Sequence, residues 1–190
     1  MSDLILGATI TAQWQALIKE AETLNHKTLS EDLESYLVFL LIRFTEKPEL
    51  AKSVLALEYL YSFDSPTRQI IQLQDIGDKC LLLAGLFPER AERKRVKISY
   101  FIELGQGAYS SVANASKIEL AKLYNALCHS FVGLMDTLHA ARELAGKQLT
   151  PLQATSLWND VKSEHALHIL KQHTQALPSC YDLTTSEKKH

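Results

Sequence analysis

Proline and glycine are scarce, five and seven in 190 residues, and each proline sits where a helix would begin or end. No stretch alternates apolar and polar residues with the period of two that a half-buried strand needs. Helical periodicity recurs instead, so the sequence predicts an all-α fold. Cysteine is also rare. Cys80, Cys128 and Cys180 are odd in number, far apart and form no CxxC. That excludes a disulfide framework and points to a reducing compartment, the cytoplasm. Apolar runs are short. The longest, Tyr36 to Ile42 and Cys80 to Phe87, fall well below the roughly 18 residues of a membrane span and read as core. The opening MSDLILGATI lacks the basic segment of a signal peptide. Charge of one sign is lacking as well. A net charge of -2 gives no global attraction to nucleic acid or anionic membrane.

What is present is a series of apolar stripes at helical spacing. The first runs from Thr11 to Leu24 through Trp14, Leu17, Ile18 and Ala21, with Lys19, Glu20 and Glu22 outside. A second opens at the capping box Thr28-Leu-Ser-Glu31 and continues to Phe44, apolar nearly all round and hence central. A third begins at Pro48 and carries Leu50, Val54, Leu57 and Tyr61. A fourth, Pro66 to Phe87, is amphipathic and then wholly apolar, the other central helix. A polar connector, Glu89 to Lys97, leads to a fifth helix over Ile98 to Ala113, whose inner face carries small residues such as Gly105 and Ala108. The sixth opens at the box Ser116-Lys-Ile-Glu119 and runs to Ala145. The seventh runs from Thr150-Pro151 to about Ala176. The expectation is one domain over residues 1–177, a bundle of about seven helices, followed by a disordered tail over 178–190. Apolar residues on several faces of one small bundle also predict a homodimer.

Motifs that carry chemistry are few. There is no nucleophile elbow, phosphate-cradling glycine loop, HExxH, Glu-x-x-His or histidine–aspartate dipeptide. Three constellations remain. His165 and His168 are three apart on one predicted helix and are candidate metal ligands; the alternative is a pair of core-edge or interface histidines. His129, Asp136 and Glu143 point away from their helix's core stripe, which makes them poor ligands for a buried ion. The bases from Arg90 to Lys97 are a candidate phosphate or nucleic-acid patch. Without interleaved aromatics, and diluted by Glu89 and Glu92, they read better as a solvated connector.

Arg43 and Asp78 are charges in helices otherwise destined for the interior. Either they pair with each other or with Glu34, or they line a polar pocket with Tyr100, Glu103 or Tyr109.

Two segments carry a resemblance. Gly77-Asp78-Lys-Cys-Leu-Leu-Leu-Ala-Gly-Leu-Phe-Pro-Glu89 is followed by Tyr100-Phe-Ile-Glu-Leu-Gly105-Gln-Gly-Ala-Tyr109, with Leu29 to Leu37 and Arg43-Phe44 upstream. This pattern resembles a family of uncharacterised bacterial helical proteins. The resemblance implies no activity; it marks Asp78, Tyr100, Gly105 and Tyr109 as parts of one recurring pattern. The functional expectation is a cytoplasmic, non-enzymatic protein that binds a partner or itself, with no membrane or nucleic acid involved. The alternative is a helical enzyme with a small-molecule pocket around Arg43, Asp78, Tyr100 and Tyr109, or a metal at His165 and His168.

Overall fold

A computed structural model describes residues 9–48, 66–93 and 95–173. The expected third helix, Leu50 to Tyr61, and the expected tail with Cys180 lie outside these residues. Among the described residues every regular element is a helix: α1 (Ile10–Asn25), α2 (Glu31–Glu46), α3 (Pro66–Leu86), α4 (Pro88–Arg93), α5 (Ile98–Ala115), α6 (Ile118–His129), α7 (Phe131–Leu144), α8 (Pro151–Val161) and α9 (Glu164–His173). The all-helical reading holds. The number of helices rises because the connector forms α4 and because two expected long helices are each broken in two.

The breaks have local causes. Ser130 sits at φ -92°, ψ 9° between α6 and α7, bending the path while its carbonyl still accepts from the Leu134 N–H at 2.9 Å. Lys162 ends α8 in the left-handed region at φ 56°, and Ser163 then opens α9 by accepting from the Ala166 N–H at 3.1 Å. The two expected capping boxes do not form. α2 begins after Ser30 without a side-chain cap, and Ser116 ends α5 instead of opening α6. A reciprocal box forms at Thr150 and Gln153, at the start of α8.

α3 lies at the centre. It packs most extensively on α5 and also against α7, while α1 packs on α7 and α2, and α8 on α9. Its second half, Cys80 to Ala84, is buried throughout, as an all-round apolar segment requires. The close α3–α5 crossing depends on missing side chains. A Cβ at Gly105 would stand 2.5 Å from the Phe131 ring and 2.9 Å from Cys80 Cβ, and one at Gly77 would stand 2.3 Å from the Tyr109 ring. α2 is less enclosed than expected: Phe39 is 64% exposed. Among the described residues the backbones of α2 and α3 approach each other closely at few points at most, and polar side chains link the two helices.

Candidate functional site

Asp78 reaches toward α2 from α3 and is buried. Its Oδ1 accepts from the Tyr36 hydroxyl of α2 at 2.7 Å and from the Tyr109 hydroxyl of α5 at 2.7 Å. Its Oδ2 accepts from the Arg43 guanidinium of α2. Arg43 also lies 3.7 Å from Asp75. The rings of Tyr36, Tyr109 and Tyr124 pack against one another at centroid distances of 5.7 to 6.3 Å. One carboxylate therefore ties three helices together, and a third tyrosine from α6 packs on the assembly. Beside it opens a depression of about 150 Å³, lined by Tyr36, Phe39, Leu40, Arg43, Gln74 and Asp78.

The electrostatics suit holding rather than reacting. Burial is the largest influence on Asp78 and pushes its carboxyl up, against the pull of Arg43 and both phenols. Burial, and then the Asp78 charge, pushes the Tyr36 and Tyr109 phenols far above their usual range. The Cys80 thiol is pushed up for the same two reasons. Neither phenol nor thiol is thereby prepared to ionise near neutrality, which is what a base or nucleophile there would need. Both oxygens of Asp78 are already engaged.

Of the predicted residues, Arg43, Asp78 and Tyr109 meet in this cluster. Tyr100 does not. It is 42% exposed, its ring lies on Phe101, and it sits nine residues before Tyr109 on α5, roughly 13 Å along the axis. Glu34 pairs with Lys19 at 2.5 Å instead, and Glu103 is exposed. Tyr36, which the sequence places at the start of an apolar core run, is the member of the cluster that sequence reasoning does not single out. Its signal was its position one heptad before Arg43, on the same helix face. Among the bases, Arg90 covers the Phe87 ring at 4.3 Å and Lys97 lies 3.6 Å from Asp160. That ion pair borders a larger cavity, about 300 Å³, between the α4–α5 turn and α8, away from Asp78.

The histidines form a second buried cluster, where α1, α7 and α9 meet. His165 is buried. Its Nδ1 donates to Asn25 Oδ1 at 2.8 Å, and its Nε2 stands 3.4 Å from Glu143 Oε2. His168 is partly buried and accepts from Gln172, with its ring edge toward His26. The two predicted ligands thus serve different partners. Among the described residues no group of three or more His, Cys, Asp or Glu is placed to hold a metal ion. His139, unremarked in the sequence, is fully buried and stacks on His165 at 6.0 Å.

Two side chains expected outside the core are buried, and each closes a helix junction. Glu22 accepts from the Leu29 N–H at 2.6 Å. Asp136 accepts from Ser163 Oγ at 2.6 Å and from the Glu164 N–H at 3.0 Å, capping α9 from α7.

These groups give opposing pH dependences. Burial pushes His165 down to about 4 and holds His139 well below its usual range. Burial pushes Asp136 up to about 6. The imidazoles bind fewer protons folded than unfolded between about pH 6.5 and 4. Their share of the stability is complete above 6.5 and is lost as pH falls. The share of Asp136 runs the other way: it is present below about 3.9 and is lost as pH rises through 6. In Asp136→Asn the opposing slope is gone. Its unfolding free energy is expected to fall by about 2 kcal/mol more than that of the native chain between pH 6 and 4. Denaturant titrations across that range measure it, and equal slopes in the two proteins would count against an elevated Asp136.

No family model, curated protein or solved structure matches the chain. No helix among the described residues is long and apolar enough to cross a membrane.

Proposed function

We propose that the protein is a non-enzymatic helical module that works by binding a protein partner, with α2 and α3 presenting the binding face. The observation that carries this reading is the surface beside Asp78. Phe39 is 64% and Ile71 57% exposed. Phe39 lines the depression there. Ile71 lies one turn before Gln74 on the same face of α3. At about 150 Å³ the depression is small beside the roughly 300–1,000 Å³ of small-molecule sites, and it suits one side chain of a partner. The polar floor supports this use, because its hydrogen bonds fix the shape of the recess. A homodimer, expected from the sequence, is the alternative use of the same face. Residence in the cytoplasm accords with Cys80 and Cys128 being free thiols.

Photocrosslinking in cells tests the reading. A photoreactive phenylalanine analogue at position 39 or 71 is expected to give adducts with a discrete protein. The same analogue at position 152, where Leu152 is also exposed but lies on α8, is expected to give none. The absence of any protein adduct at 39 and 71 would remove the proposal.

A further inference from the structure

We infer that the α2–α3 face receives a basic amphipathic helix of a partner protein, which seats one apolar side chain in the depression beside Asp78. This rests on the binding role proposed above and specifies the partner's chemistry.

Shape is the first support. Among the described residues α2 and α3 are joined by Tyr36, Arg43 and Asp78, with little close backbone packing between them. Two helices linked over a polar floor form a groove, and a groove with an apolar recess is how amphipathic helices are commonly received. The recess takes one anchor; Ile71 offers a second contact one turn beyond Gln74.

Charge is the second. On α2, Asp32, Tyr36, Phe39, Arg43 and Glu46 follow one another at spacings of three and four and so share a face. Its two ends, Asp32 and Glu46, are exposed acids. On α3, Asp75 borders the same groove with its side chain 39% exposed. Among the described residues lining the depression the basic one is Arg43, which is committed to Asp78; Lys47, one turn beyond it, is exposed beside Glu46, so the acids Asp32, Glu46 and Asp75 still outnumber it. An apolar centre within an acidic rim attracts a helix with apolar and cationic faces and disfavours an acidic one.

Fluorescence anisotropy with the full chain tests this. The probes are two short synthetic helical peptides with the same leucine stripe, one filled out with lysine and the other with glutamate. The lysine peptide is expected to bind, with affinity falling about tenfold from low to physiological salt. Phe39→Ser is expected to weaken it about tenfold or more, and Asp75→Lys to weaken it too, while Leu152→Ser has no effect. Circular dichroism confirms that each variant is folded.

Equal binding of the glutamate peptide, or an affinity indifferent to Phe39→Ser, overturns the inference. So does binding that appears only when residues 49–65 are replaced by a flexible linker, since that segment is then the occupant. A dimer lost in Phe39→Ser, with no peptide bound, makes a second copy the occupant and overturns it equally. If position 39 crosslinks a protein in cells but the lysine peptide fails, the partner class is wrong and the binding role stands. If both fail, both are withdrawn.

Discussion

Replacing Asp78 by alanine is expected to lower the unfolding free energy by about 3–5 kcal/mol. The size follows from what the carboxylate leaves behind. Tyr109 is fully buried and would keep a hydroxyl without its acceptor, at a cost of about 1–3 kcal/mol. Tyr36 would lose the same acceptor. Arg43 would lose its closest counter-charge, although it is partly open to solvent and has Asp75 at 3.7 Å. Asp78→Asn keeps an acceptor for the phenols and should cost clearly less than the alanine variant. Urea titration reads both through the midpoint at an unchanged m-value. A loss below about 1 kcal/mol for alanine would mean that the cluster contributes little to holding the helices.

Two glycines on α5, two residues apart, are expected to respond to alanine with opposite signs. In a helix interior alanine is better than glycine by about 1 kcal/mol. Gly107 is exposed, and an added Cβ there meets nothing within 4 Å, so Gly107→Ala is expected to gain most of that amount. At Gly105 the new Cβ stands 2.5 Å from Phe131 and 2.9 Å from the Cys80 Cβ. The ring and α3 must both move. Overpacking of this kind costs about 1–3 kcal/mol or more and reverses the sign. Thermal unfolding of the pair against the native chain measures the difference. If both variants are stabilised, α3 and α5 do not approach as closely at Gly105 as described.

The sequence made the helices legible where apolar residues repeat over several turns, as in α3 and α5, because burial of a stripe demands that spacing. It did not show the breaks at Ser130 and Lys162, since the apolar pattern continues across both. A bend takes little from periodicity. Capping signals misled at Thr28 and Ser116 because several nearby residues can open a helix, and tertiary contacts such as that of Glu22 with Leu29 decide among them. In the site, Arg43 and Asp78 stood out as charges within apolar helices. Tyr36 did not, because a tyrosine on an apolar face looks like core until its hydroxyl has a partner 42 residues away. Asp136 and His139 were missed for the opposite reason: each is buried by α9, which periodicity along α7 alone does not reveal.

The four side chains around Asp78 also restrict which arrangements of the chain can compete with the native one. Apolar contacts between α2 and α3 would tolerate a slip of one turn, because leucine replaces leucine at little cost. The polar contacts do not tolerate it. A slip in one direction puts Leu40 where Tyr36 stands and Lys47 where Arg43 stands. In the other direction Asp32 faces Asp78, and Phe39 replaces the guanidinium. Either alternative leaves a buried carboxylate short of donors, and one adds a like charge. The cluster thereby widens the energy gap between one packing and its near neighbours, whatever its net contribution to stability.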